Sequence, residues 1–133
     1  MTNQNKVILV LEDERPLLEA IRLKLGKNNF DVVTARKVEQ AKAYVTDLER
    51  VDAVWLDHYL IGQEDGLDFL AWCKEYDGGK YKGIPIFVVS NTASADKVST
   101  YMQLGAKEYF VKSNHRLDEI INAITAYLNG ERK

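Results

Sequence analysis

Val51-Asp-Ala-Val-Trp-Leu-Asp57 holds an uninterrupted apolar run, Ala53 to Leu56, about one strand long. It stops at a carboxylate, and a loop follows: Asp57-His-Tyr-Leu-Ile-Gly-Gln-Glu-Asp-Gly66. A strand that is apolar on both faces must be covered on both, which predicts the centre of a parallel sheet flanked by helices. Such sheets place their chemistry at the carboxyl ends of the strands, so Asp57 is the first candidate.

Working outward, the same grammar repeats. Lys6-Val-Ile-Leu-Val-Leu11 is a second apolar strand and ends in Glu12-Asp13-Glu14. Pro16 suits the first turn of a helix with the stripe Leu18, Ile21, Leu25, closed by Gly26 and Asn28-Asn29. Phe30 to Ala35 is β-rich, and Val38, Ala41, Val45 and Leu48 recur at helical spacing. After the central strand, a helix is predicted over Leu67 to Tyr76, with Leu67, Leu70 and Ala71 on one side. Asp77 to Gly83 reads as a linker loop. Ile84-Pro-Ile-Phe-Val-Val-Ser90 is a strand with its proline at the tolerated end. Asn91 to Ser94 forms a loop that feeds a weaker helix, closed by Gly105 after Leu104. Glu108 to Lys112 is the fifth strand, and Leu117, Ile120, Ile121, Ile124 and Leu128 stripe the last helix. Five strands alternating with five helices predict a single doubly wound α/β domain built on one parallel sheet. The expected division is a flexible lead over 1–5, the domain over 6–130 and a tail over 131–133, with no output domain.

Composition bounds the function. The chain has 133 residues, 46% of them hydrophobic and 29% charged, with a net charge of −2. Near-balanced, scattered charge gives no footprint for direct nucleic-acid or membrane binding. The one cysteine, Cys73, supports neither a disulfide framework nor a Cys/His metal site and reads as a small core hydrophobe. No leader or membrane span is read, so a cytoplasmic location is expected.

The strand ends carry the chemistry. In a parallel sheet they share one edge, which gathers Glu12 and Asp13, Asp57, Ser90 and Lys112. Three carboxylates at one rim repel unless a cation offsets them. Hard oxygen ligands without His or Cys suit Mg²⁺, which keeps waters and recruits phosphate oxygens. Phosphoryl transfer needs an in-line nucleophile and neutralisation of the equatorial oxygens. Asp57 can attack, Mg²⁺ and Lys112 can neutralise, and the Ser90 hydroxyl can donate to a third oxygen.

Taken in order, Val-Leu-Glu12-Asp13-Glu, Trp-Leu-Asp57, Val-Val-Ser90 and Gly-Ala-Lys-Glu-Tyr109-Phe-Val-Lys112 make the chain from Lys6 to Asn129 resemble a response-regulator receiver domain of two-component signalling systems. The resemblance implies a flavodoxin-like (βα)5 fold with its five-stranded parallel sheet in the order 2-1-3-4-5 and helices on both faces, and it implies that Asp57 accepts a phosphoryl group from a phosphohistidine on a sensor histidine kinase or phosphotransfer protein. It implies that Asp13 and Asp57 hold Mg²⁺ with the backbone carbonyl of Tyr59, with Glu12 acting through water. It also implies that Ser90 moves toward the phosphoryl group and Tyr109 turns inward behind it, which remodels the face of helix four, strand five and helix five where a protein target docks. The module would be a signalling domain rather than an enzyme, promoting only its own phosphorylation and dephosphorylation, as a monomer or a phosphorylation-linked homodimer.

Three departures from the family pattern carry expectations. The loop after Asp57 is one residue longer, with Ile61 where proline is common, and Glu64 and Asp65 in it are expected to face water. Ser113 replaces the proline after Lys112, so a trans peptide is expected. Tyr59 and Asn91 are bulky for their positions, which predicts slow dephosphorylation.

Blander roles compete at each position. Glu12 and Asp13 can cap the first helix, Ser90 can be a turn residue, Lys112 a surface charge, Tyr109 a half-buried aromatic, and His58 a packing or exposed residue. An interaction module that takes no phosphate is the main functional alternative. A phosphatase of the haloacid-dehalogenase pattern needs an acid where Tyr59 stands, and flavin binding lacks a phosphate-cradling loop after the first strand.

Overall fold

The computed structural model describes residues 5–48, 50–75, 83–91 and 94–130. The strands are β1 (Val7–Leu11), β2 (Asp31–Ala35), β3 (Ala53–Leu56), β4 (Ile86–Ser90) and β5 (Glu108–Val111), and the helices are α1 (Arg15–Lys27), α2 (Val38–Asp47), α3 (Gly66–Glu75), α4 (Ala95–Gln103) and α5 (Leu117–Leu128). All strand pairs are parallel, in the predicted order β2-β1-β3-β4-β5.

β3 is central and all four of its residues are buried, as its unbroken apolar run requires. Its side chains alternate between two cores. Val54 and Leu56 join Val38, Ala41 and Val45 of α2, Phe69, Leu70 and Cys73 of α3, and Tyr101 of α4. Ala53 and Trp55 join Leu18, Ile21 and Leu25 of α1 and Ile120, Ile121 and Ile124 of α5. Burying one such Leu or Ile side chain is worth about 1.5–3 kcal/mol, so each layer is held by several interchangeable contributions.

The helix limits follow local chemistry. Pro16 lies in the first turn of α1, where its missing N–H costs no bond. Asn29 beyond its end adopts a positive φ of 69°, a conformation asparagine tolerates. Gly105, with φ 100°, lets the chain leave α4 and enter β5.

Two readings shift. α2 ends at Asp47, and Leu48 is an extended cap residue that still packs on the core. α3 begins at Gly66 and buries Gly66, Phe69, Leu70 and Cys73, whereas Leu67 is only partly buried and Ala71 is not part of the core. The predicted last residue of that helix, Tyr76, the loop residues Asp77 to Lys82, and Thr92 and Ala93 lie outside the described residues, as do 1–4 and 131–133. Cys73 is the core hydrophobe expected, and burial pushes its thiol pKa up to about 12. Among the described residues, no helix is long and apolar enough to cross a membrane.

Candidate functional site

The sheet ladder extends one residue past two strand tips. The Glu12 N–H donates to Ala35 O at 3.0 Å, and the Asp57 N–H to Leu11 O at 3.0 Å. These bonds hold both acids in strand register, side by side, and both are buried, Glu12 at 1% and Asp57 at 5% exposure. Asp13 completes the group: one carboxylate oxygen from each of Glu12, Asp13 and Asp57 lies within 4.8 Å of the others. Lys112 reaches in from the end of β5, its Nζ donating to Glu12 Oε1 at 2.9 Å and to Asp57 Oδ2 at 3.4 Å.

One ammonium does not balance three acids. Burial, and then the Asp57 charge, raises the Glu12 pKa to about 7 even though Lys112 opposes the shift. Burial also raises that of Asp57, against the pull of Lys112. Burial by itself lowers the Lys112 pKa, yet Asp57 and Glu12 outweigh it and the net shift is upward. A group of hard oxygen ligands with unrelieved negative charge is what a divalent cation fits.

Glu12 and Asp13 do not cap α1 with their side chains. Its N-cap is Glu14, which makes no side-chain cap bond, and the Glu14 N–H donates to Glu12 Oε2 at 3.2 Å. Arg36, just past β2, donates from Nε and a terminal nitrogen to the Asp13 carbonyl at 3.1 and 3.0 Å. It steadies the loop that carries the acids. The sequence reading passed over Arg36, although the end of β2 belongs to the same edge as the other strand ends.

Ser90 is the last residue of β4 and fully buried. It shares a hydrogen bond with the Tyr109 hydroxyl, so Tyr109 is turned inward, half-buried, with its ring 5.7 Å from that of Tyr101. Burial raises the Tyr109 pKa, which keeps the hydroxyl protonated. The Lys112–Ser113 peptide is trans, as expected, and Lys112 opens a short 3-10 turn, Lys112–Asn114.

The long loop after Asp57 is tied down. The Ile61 N–H donates to Arg36 O at 3.2 Å. Glu64 pairs with Lys42 at 3.0 Å, and Asp65 and Asp68 exchange side-chain to backbone bonds across the start of α3 at 2.8 and 3.1 Å. The two loop acids face water as expected, with side chains 43% and 42% exposed, while keeping these partners, and among the described residues the metal-competent group is limited to Glu12, Asp13 and Asp57. Tyr59 is 56% exposed and lies under the Lys97 ammonium, 5.1 Å from its ring centre. Asn91 is exposed beside the site.

His58 takes the packing role that was one of those expected, and its ring is engaged at both nitrogens. It is buried at 5% exposure, with Nδ1 2.6 Å from the Tyr101 hydroxyl and Nε2 3.1 Å from Lys97 Nζ. Asp65 Oδ2 lies 3.7 Å from Nε2. Burial, reinforced by Lys97, lowers the His58 pKa and keeps the ring neutral near pH 7. No periodicity in the sequence announces this pairing across 43 residues.

A parallel five-stranded sheet with helices on both faces and acids and a lysine at its carboxyl edge places the protein in the flavodoxin-like class. The family model of the response regulator receiver domain matches residues 8–125, and the chain belongs to that family. Its curated relatives include the alkaline phosphatase synthesis transcriptional regulatory protein PhoP of Bacillus subtilis (strain 168), 29% identical over 108 residues, which are 81% of this chain and 42% of that protein. The phosphate regulon transcriptional regulatory protein PhoB of Pseudomonas aeruginosa is 27% identical over 107 residues, 80% of this chain and 45% of that protein. The chain therefore spans about half the length of the curated relatives it matches. Among solved structures, the phosphorylated cyanobacterial phytochrome response regulator RcpA superposes with a TM-score of 0.83 at 26% identity, covering 98% of both chains. A CheY-like receiver domain protein from Methanospirillum hungatei JF-1 superposes at 0.84 with 19% identity, covering 96% of this chain and 97% of the other.

Proposed function

We propose that the chain is a phosphorylation-dependent receiver in which Asp57 takes a phosphoryl group from a phosphohistidine of a sensor histidine kinase or phosphotransfer protein. The observation that carries this reading is the convergence of Glu12, Asp13, Asp57 and Lys112 at one edge, with Ser90 at the tip of the neighbouring strand. RcpA, the similar solved structure noted above, is itself described as phosphorylated.

An Asp57 carboxylate oxygen attacks phosphorus in line, the phosphorus–nitrogen bond breaks, and the imidazole leaves with its electron pair. Lys112 sits 3.4 Å from Asp57, placed to follow the negative charge as it moves onto the phosphoryl oxygens. Ser90 is one strand away and can turn its hydroxyl from Tyr109 to a phosphoryl oxygen. Asp13 and Asp57, with the Tyr59 carbonyl and with Glu12 through water, are the groups that would hold Mg²⁺. When bound, Mg²⁺ supplies the positive charge that lets acids and phosphoryl oxygens share one site. Loss of the mark is attack by water on phosphorus, which regenerates the carboxylate. The acyl phosphate biases the Ser90–Tyr109 arrangement, and through it the face of α4, β5 and α5 where a protein target docks. On this reading the chain is a signalling domain, not an enzyme acting on a separate substrate.

Incubation with Mg²⁺ and acetyl phosphate followed by intact mass measurement tests the assignment. The expected result is a single increment of about 80 Da that is lost in Asp57→Asn. No increment, with the small donor or with a cognate kinase, would leave an interaction domain that works without phosphate.

A further inference from the structure

α4 presents Lys97 and Tyr101 four residues apart, hence on one helical face. Both close on a single imidazole, that of His58, the residue covalently next to Asp57. An ammonium only donates, so Lys97 fixes Nε2 as an acceptor and puts the ring proton of the neutral imidazole on Nδ1, where it donates to the Tyr101 oxygen. The backbone of His58 is held as well, since its carbonyl accepts the Gly66 N–H at 3.0 Å. Gly66 itself has no room for a side chain: a Cβ there would run into the Tyr101 hydroxyl and come within 2.8 Å of the Asp57 carbonyl. Tyr101 is fully buried and packs edge-on against Tyr109, which is bonded to Ser90. One residue thus binds the start of α3 with its backbone and α4 with both ring nitrogens, and the linkage returns to the acceptor rim through Tyr101, Tyr109 and Ser90.

We infer that His58 is a positioning residue that couples the state of Asp57 to the position of α4, with Tyr101 as its counterpart and Lys97 setting the tautomer. This rests on Asp57 being the phospho-acceptor. A shift of the loop backbone at Asp57 moves His58, and the imidazole cannot move without carrying the helix bonded to it. The route runs alongside the Ser90–Tyr109 pair and meets it at the Tyr101–Tyr109 contact.

The test is hydrogen exchange of α4 amides in the full chain, with and without phosphorylation by acetyl phosphate and Mg²⁺, with intact mass read on the same samples. In the wild type, α4 exchange changes about fivefold or more on phosphorylation, the low end of ordinary coupling between sites. In Tyr101→Phe, which keeps the ring and loses the bond, and in His58→Leu, the mass increment persists and the α4 response is lost. His58→Asn, which returns a polar group to the Nδ1 position, restores it, a rescue that packing alone would not produce. An unchanged α4 response in a folded, phosphorylated Tyr101→Phe overturns the coupling role. A wild type that takes no phosphoryl group overturns the acceptor reading and this inference together.

Discussion

Glu12 and Lys112 lie 100 residues apart in the chain and 2.9 Å apart in the fold. Lys112 is nearer to Glu12 than to Asp57, which stands at 3.4 Å. The cation is thus shared between the acid predicted to react and a second acid that is the more deeply buried.

A dependence on pH follows from that pair. The Glu12 pKa is about 7 in the folded chain against an ordinary 4.5, so the folded state binds more protons than the unfolded one. Its contribution to stability is fully present below about pH 4.5 and is lost as pH rises through about 7; the shift at Asp57 has the same sign. Thermal unfolding in chelator should show falling Tm across that window. Added Mg²⁺ should raise Tm more at pH 8 than at pH 6, since protons and metal compete for the same oxygens. An Mg²⁺ effect that is equal at both pH values would contradict the assignment of the metal to these acids.

Arg36→Ala should weaken metal binding without touching a ligand atom. Its two bonds steady the Asp13 carbonyl, and losing such a support typically costs about 10-fold or more in metal affinity. Calorimetric titration with Mg²⁺ reads this directly, and an unchanged Kd would show that the loop holds its shape unaided.

Two glycines should respond in opposite ways to alanine. Gly66→Ala forces a methyl against Tyr101 and the Asp57 carbonyl and should cost about 1–3 kcal/mol, as overpacking does. Gly26, inside α1 with nothing within 4 Å of an added Cβ, should instead gain about 0.4–1 kcal/mol on becoming Ala. Urea unfolding of the two variants measures both signs in one experiment.

On the proposed function, Tyr59, two residues past the acceptor, is expected to limit access of water to it. It is exposed, yet Lys97 sits over its ring, which holds a large side chain beside the site. Tyr59→Ala should shorten the lifetime of the phosphorylated protein severalfold, and Asn91→Ala should act in the same direction. Decay of the mass increment after removal of the donor gives the rate, and a lifetime unchanged in both variants would clear them of that role.

The sheet was legible in the sequence because β1, β3 and β4 are apolar along nearly their whole length, a pattern only a doubly covered strand sustains. The acidic edge was legible because a parallel sheet brings strand ends together whatever their separation along the chain. The face of α3 was not: Leu67, Phe69, Leu70, Ala71, Trp72 and Cys73 leave little polar surface to fix its phase. The buried face, Gly66, Phe69, Leu70 and Cys73, is settled by tertiary packing, which includes the close approach of Gly66 to Tyr101. The His58–Tyr101 bond was hidden for the same reason. Only the fold reveals that Tyr101 is the single residue α4 buries, while its Met102 stays exposed.

The alternation of β3 has a consequence for how the domain can diversify. Followed through the strand tips and just past them, the same alternation in β1, β3 and β4 sends Glu12 and Asp57 toward the layer of α1 and α5, and His58 and Ser90 toward the layer of Tyr101 and Tyr109. Consecutive residues thus belong to different compartments, Asp57 to the layer of α1 and α5 and His58 to the layer of Tyr101. Substitutions around Asp57 and substitutions around His58 therefore fall in separate cores on opposite sides of a sheet one residue thick, with the peptide bond between Asp57 and His58 as the place where the two layers join.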